Sequence, residues 1–440
     1  MKKFLLFYFF LFVFPFTISA RKVIFDAPNS DICSLFSKHN VVYVIRYDHQ
    51  FFESIMVPSH CEIRFEGGSL CGRIDFNETK LSGNVRLQGA KISGTIRNKT
   101  FNASWLCYRD GKTDDANNVN QILSVCKDVF FPKGVYWLQS AYQPVDLEGS
   151  LKETVRCHIG INKSDIKLRG EPGTNFVTEQ VMGMITVYTQ PYQIHNSIGK
   201  IRIENIKFTT RNDGKNFHEF IHVIKLIGVH DLIIEGCLFE DFWGDGICLS
   251  HYGDTPQTGE RTRNQNIKVI NNTVIGGDHH NNRNGVSVVS GKKIVIKGNT
   301  IINTSRNDMP GGIAVEPNNS AYTIDNIKIM NNYIENVKTN AIKVYIYNNG
   351  PAHNIQICRN RVFSCGNGIT IAIKTDNTAD NFIIKGNIID KLTNPFIFGG
   401  EGHTKKWEIA NNIMGRASFQ KIPGNIKVKD LKVKNNIINF

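Results

Sequence analysis

Through the second half of the chain, short runs alternate apolar and polar residues and then break at an asparagine. Ile267-Lys-Val-Ile-Asn-Asn272 recurs as Ile294-Val-Ile-Lys-Gly-Asn299, Ile327-Lys-Ile-Met-Asn-Asn332, Ile355-Gln-Ile-Cys-Arg-Asn360, Phe382-Ile-Ile-Lys-Gly-Asn387, Trp407-Glu-Ile-Ala-Asn-Asn412 and Leu431-Lys-Val-Lys-Asn-Asn436. Apolar residues at every second position face one side of a strand. The interval between repeated asparagines varies, longest from Asn299 to Asn332 and shortest from Asn412 to Asn436, while the strand motif stays the same. Constant strands joined by turns of variable length describe a solenoid. The pattern predicts an all-β chain wound as a single-stranded parallel β-helix. Coils about 4.8 Å apart would stack the asparagines so that their amides pair, a structural role that lends none of them to a functional site.

A second strand in each coil carries a Gly-Ile or similar pair: Gly246-Ile247, Gly285-Val286, Gly312-Ile313, Ala341-Ile342 and Gly368-Ile369. These apolar residues and the ones two positions later are expected to point inward. The positions between them, Cys248, Ser250, Ser287, Ala314, Glu316, Lys343, Tyr345 and Thr370, then point outward. One coil earlier, Ile224-Lys-Leu-Ile227 places Lys225 outward and His222 beside Asp245. Strict alternation turns Asp245 and His222 inward, but both precede the strand, where glycine-flanked turns can re-aim them. The path from this strand to the next is short between Val286 and Ile294 and more than twice as long between Ile247 and Ile267. The insertions His251–Arg263, Gly277–Arg283 and Thr304–Gly311 fall on adjacent coils, as the walls of a binding groove would.

The rest of the chain refines this picture. Residues 1–20 combine Lys2-Lys3, a Phe/Leu-rich run and a Ser19-Ala20 end, the layout of a secretory signal cut before Arg21. No second apolar run is long enough to span a membrane, so a secreted, periplasmic or surface location without a stable membrane span is expected. Residues 21–104 hold glycine-rich strands that read as shorter β-coils, and 105–440 as the main solenoid. Ten cysteines lie singly, without metal-ligand spacing; Cys61 and Cys71 are the one pair placed to bridge adjacent short coils. No metal or other cofactor is expected, and no calcium site is named by the pattern. Asp114 and Asp115 ahead of Val119, Ile122 and Leu123 predict the start of a short helix that caps the solenoid.

The stretch Asp110-Gly-Lys-Thr-Asp-Asp115, then Val129-Phe-Phe-Pro-Lys-Gly-Val-Tyr-Trp-Leu138 and Asp165-Ile-Lys-Leu-Arg-Gly170, resembles the opening of the pectate-lyase-like superfamily over about residues 105–440. That superfamily includes polygalacturonase-type hydrolases, polysaccharide lyases and phage tailspikes. The resemblance implies a right-handed helix and, because the fold hosts many chemistries, does not by itself select a reaction. In polygalacturonase-type enzymes, motifs similar to Gly244-Asp245-Gly246-Ile247 carry a catalytic carboxylate, which makes Asp245 the candidate general acid. The pattern departs from that family elsewhere: His222 stands where a second carboxylate is expected and Asn284 where a histidine is. Glu316 lies roughly 10 Å across and 16 Å along from Asp245 by strand geometry, beyond the usual separation of hydrolase carboxylates.

A lyase needs a base, an acid and a cation that neutralises the uronate carboxylate. Lys343, Tyr345 and Glu316 sit on neighbouring coils for that chemistry, and Arg283 offers a planar clamp for a carboxylate. The candidate catalytic residues are therefore Asp245, Glu316, Lys343 and Tyr345. The candidate substrate-binding residues are His222, Lys225, His279, His280, Arg283 and Asn284, with Asp278 in the same inserted segment. A net charge of +13 suits an acidic polysaccharide as partner. No nucleic-acid motif is present, and nothing in the pattern sets an oligomeric state. The expected function is hydrolysis of an acidic polysaccharide, with elimination by a lyase, or glycan binding without catalysis in an adhesin- or tailspike-like protein, as alternatives.

Overall fold

The computed structural model describes residues 21–25, 27, 32–144, 147, 149–190, 197–211, 218–251, 263–276, 283–304, 309–317, 322–346, 350–374, 379–392, 394–415 and 426–438. The chain falls into two compact units, Met1–Ala90 with Gly94–Asn98, and Lys91–Ser93 with Lys99–Phe440. In the first unit Val42–Ile45, Glu62–Phe65 and the far half of Ser69–Gly83 pair in parallel, with Val42 opposite Glu62 and Glu62 opposite Lys80. Between Val42–Ile45 and Glu62–Phe65 the chain runs through another strand, Asp48–Met56, which pairs in parallel with the near half of Ser69–Gly83. Cys61 and Cys71 are free thiols, contrary to the expected bridge. They belong to strands with different partners: Cys71 lies opposite Gln50, whereas Cys61 just precedes Glu62 and donates to the Lys38 carbonyl.

In the second unit three parallel sheets run the length of the described solenoid, two of twelve strands and one of nine. Successive coils add one strand to each sheet. The inward columns are apolar and dry: Ile224, Ile247, Val286, Ile313, Ile342 and Ile369 are in register on the nine-stranded sheet and all are fully buried. A second column of Leu226, Leu249, Val288, Val315, Val344 and Ile371 lies beside it, equally closed. Early coils fill the interior with rings, Phe131, Phe176 and Phe208 meeting edge to face at 5.0 and 5.7 Å. The middle coils use aliphatic side chains instead, and rings return in the last coils, where Trp407 packs against Phe382 at 4.9 Å and Phe398 at 5.6 Å.

The asparagine ladder runs from Asn272 to Asn436. Each Asn Oδ1 from Asn299 onward accepts both the backbone N–H and the Nδ2 of the ladder residue one coil earlier, and its own Nδ2 also reaches back to a strand carbonyl. For Asn332 these bonds are 2.9 and 3.0 Å from Asn299 and 3.0 Å to Ile296. Cys237 opens the ladder with its N–H on Asn272 Oδ1 at 2.9 Å. The residue before each ladder position turns left-handed, which favours Asn or Gly there: Asn271, Asn331 and Asn411 have φ of 56°, 56° and 55°, and Gly236, Gly298 and Gly386 have 64°, 67° and 65°, with Arg359 the exception at 57°.

The predicted helix is Ala116–Val125. Asp114 accepts the Ala116 N–H at its start, and Asn120 bonds the His158 carbonyl and the Gly160 N–H, which sets the helix on Cys157–Ile161 at the edge of the nine-stranded sheet.

Candidate functional site

The outer side of the nine-stranded sheet carries one row of residues in register: Thr186, Lys225, Cys248, Ser287, Ala314, Lys343 and Thr370. Its centre is made of short side chains, bracketed four strand steps apart, about 19 Å, by Lys225 and Lys343. Cys248, Ser287, Ala314 and Thr370 face outward as the alternation requires, yet all are buried. Side chains this short are recessed below the long residues beside them.

Next to this row stands a column of polar residues at the strand entrances. Asn284, Gly311, Asn340, Asn367 and Asn394 are in register, and Asp245 and His222 occupy the same entrance position on the two preceding coils. Asn394 donates to Asn367 at 3.0 Å and Asn367 to Asn340 at 3.3 Å. Asn284 gives both its N–H and its Nδ2 to Asp245 Oδ1, each at 2.9 Å, and also reaches Ser287 Oγ at 3.1 Å. The bond to Ser287 places the Asn284 amide on the outer side of the sheet, yet Asp245 and His222 are buried rather than exposed. Gly311 interrupts the column for a steric reason: a Cβ there would lie 2.4 Å from Asn284 Oδ1.

The glycines flanking Asp245 answer to the backbone. Gly244 has φ of 54°, and a Cβ on it would meet the Ile221 carbonyl at 2.4 Å. A Cβ on Gly246 would meet the Gly285 carbonyl at 2.8 Å. The Gly-Asp-Gly motif is thus a packing requirement that also delivers a carboxylate.

Asp245 is only 2% exposed, and Nδ1 of His222 lies 3.2 Å from both its Oδ2 and its backbone nitrogen. Burial alone would raise the Asp245 pKa, but the hydrogen bond and charge of His222, the charge of Arg283 and the Asn284 amide outweigh it and hold the carboxyl below its ordinary value. This carboxyl is a carboxylate near neutrality, a poor match for the proton-donor role expected from the sequence. Burial holds the His222 imidazole below its usual pKa against the pull of Asp245. Arg283 does not reach the carboxylate; it pairs with Glu219 at 2.9 Å.

Lys225 and His222 line a cavity of about 330 Å³ together with Thr186, Phe220 and Arg156. Desolvation lowers the Lys225 pKa, and its ammonium has no carboxylate or hydrogen-bond partner among the described residues. Arg156, Thr186 and Glu219 were not singled out from the sequence. No local motif marks them.

Glu316, Lys343 and Tyr345 form a separate group. Lys343 and Glu316 are ion-paired, the Lys343 ammonium lies 5.3 Å from the centre of the Tyr345 ring, and Asn340 Nδ2 donates to Tyr345 OH at 3.3 Å. The sequence-selected residues thus resolve into two clusters on one face, His222–Asp245–Asn284 with Lys225, and Glu316–Lys343–Tyr345. Asp278, His279 and His280 lie outside the described residues, as do 252–262, 277–282 and 305–308 of the insertions.

Metal donors converge at one point. Atoms of His222, Asp245 and Cys248 all lie within 4.8 Å of one another. Their surroundings oppose a cation, since burial pushes the Cys248 thiol pKa far up and both Lys225 and Arg283 act on the cluster electrostatically.

No family model matches the chain. The uncharacterized protein YclG of Bacillus subtilis strain 168 is 29% identical over 168 residues, which cover 36% of this chain and 28% of that protein's length. Among solved structures, the Dettilon tailspike protein has a TM-score of 0.53 at 11% identity, over 77% of this chain and 62% of its own. The exopolygalacturonase of Thermotoga maritima has a TM-score of 0.49 at 13% identity, over 78% of this chain and 92% of its own. Three long parallel sheets and the likeness to the tailspike define a right-handed parallel β-helix.

Proposed function

We propose that this chain is a polysaccharide-active β-helix protein that cleaves an acidic glycan by acid–base chemistry on the outer face of its nine-stranded sheet. The observation that carries this reading is His222, whose Nδ1 accepts the Asp245 N–H and lies 3.2 Å from that residue's buried carboxylate, lining a cavity beside a lysine that has no partner among the described residues. In the neutral ring Nδ1 accepts the Asp245 N–H and Nε2 carries the proton; in the charged ring Nδ1–H turns to the Asp245 carboxylate, which stabilises that form and leaves Nε2–H as the acid. Asp245 is then a positioning residue rather than the proton donor. Hydrolysis of a glycosidic bond is the first reading. Elimination is the second, favoured by one feature: a cation, Lys225, stands in the same cavity as His222, where it would neutralise the carboxylate next to the abstracted proton. Glu316, Lys343 and Tyr345 extend the same face and would contact neighbouring sugars. Export by the leader in residues 1–20 would bring the protein to such a substrate.

The test is a panel of acidic and neutral glycans, with reducing ends and the ultraviolet absorbance of unsaturated uronates both recorded. Hydrolysis raises the first signal alone, and elimination raises both. His222→Gln should retain binding and lower turnover by about 10²–10⁴-fold, the usual size of a general acid–base contribution. Parent-like turnover in His222→Gln overturns the assignment of the face. A parent protein that binds glycan but never cleaves it overturns the catalytic reading in favour of a binding protein.

A further inference from the structure

A concentration of positive charge lies on another face, on the last coils of a twelve-stranded sheet. There Asp325, His353, Asp380, Lys405 and Lys429 are in register on successive strands, with His403 opposite Lys427 two positions along. The early part of this column is neutralised within itself: Lys292 meets Asp325 at 3.8 Å and His353 meets Asp380 at 2.6 Å. Beyond Asp380 the pairing stops. Lys405, Lys427 and Lys429 are exposed and meet no carboxylate among the described residues. They line an open cavity of about 690 Å³ with His353, Asp380 and His403. The final long strand, Lys427–Lys434, carries four lysines against the single acid Asp430.

We propose that this groove is a second glycan site, an attachment surface for a polymer bearing repeated anionic sugar substituents, separate from the face described above. Strand geometry sets its cations on a grid, about 4.8 Å apart across the strands and about 6.7 Å along them. Like charges held on such a grid repel one another, and a polyanion laid across it relieves that repulsion while releasing its own counterions. A single small anion would satisfy only one grid point. The ligand is assigned to the anionic glycans rather than to nucleic acid because no Phe, Tyr or Trp among the described residues lines the groove to stack a base; Trp407, on the same strand as Lys405, is turned inward and 1% exposed. Carboxylate and sulfate ester share the recognising chemistry. A second attachment point on the same chain raises the residence of a long polymer without any new contact at the first.

The experiment measures binding of the full chain to immobilised polygalacturonate, dextran sulfate, neutral dextran and single-stranded DNA over a range of salt. The parent should bind at least one of the two anionic glycans, more weakly as salt rises, and neutral dextran not at all. The variant Lys405→Gln/Lys427→Gln/Lys429→Gln should lose about tenfold or more in affinity and show a shallower salt dependence. A control with the same net charge, Lys112→Gln/Lys167→Gln/Lys200→Gln, should bind like the parent. The relative response to polygalacturonate and dextran sulfate distinguishes carboxylate from sulfate. Equal loss in the control, no binding of either anionic glycan by the parent, or a preference for DNA would each overturn the proposal. The readout is binding alone, so it stands apart from whether the protein cleaves anything.

Discussion

Replacing Asn332 by alanine tests the ladder at its centre. Asn332 is 1% exposed, and its Oδ1 accepts from the Asn299 backbone N–H at 2.9 Å and from Asn299 Nδ2 at 3.0 Å. Truncation strands both donors in a dry bend. It also removes the donor to the Ile296 carbonyl at 3.0 Å, whereas Asn360 Oδ1 keeps the Asn332 backbone N–H. At about 1–3 kcal/mol for each buried donor left without a partner, the substitution should cost about 2–6 kcal/mol, a large share of the stability of an ordinary domain. Asn436 makes the equivalent bonds from Asn412 at 3.0 and 2.8 Å, but it is only partly buried, so water can replace what alanine removes. Asn436→Ala should therefore cost less than half as much. Urea denaturation followed by fluorescence gives the ranking, and native-state amide exchange at Asn299 reports the local loss. A midpoint for Asn332→Ala indistinguishable from the parent, or equal costs at the two positions, would refute the view that ladder amides stabilise through mutual satisfaction.

The inward register makes a second prediction: Ile342→Asp buries an unpaired carboxylate in a fully closed column and should prevent folding, whereas a soluble variant with the parent's melting profile would contradict the register. A third concerns acid. His158 is fully buried, its ring bonded to the Ser140 carbonyl and Thr178 Oγ1, each at 2.9 Å, and burial holds its pKa below the ordinary value. Above about pH 6.5 both folded and unfolded chains carry a neutral ring; below it the unfolded chain takes up a proton that the fold refuses, so stability falls as the pH drops towards the folded pKa, by at most about 1.4 kcal/mol per unit from this one group. Denaturation midpoints between pH 7 and pH 5 should fall less steeply in His158→Leu, and an unchanged slope would remove His158 from the account.

Strand alternation and the recurring asparagine were enough to specify the solenoid and which residues face inward, because both depend on local periods that any coil must obey. The helix at Ala116–Val125 was likewise legible from Asp114 and the apolar spacing after it. The two clusters on the nine-stranded face were only half legible. Register could be counted from the sequence, so Lys343, Glu316 and Tyr345 were placed together, and His222 beside Asp245. What each charge would meet was not countable. Arg283 finds Glu219, Lys225 finds no partner among the described residues, and Asp245 is closed from water by Asn284 and its neighbours, all through contacts between side chains of different coils. Periodicity is a property of the chain, and it determined the fold. Burial and pairing of an individual charge depend on the volume left by side chains from several coils, and only the tertiary structure decided them.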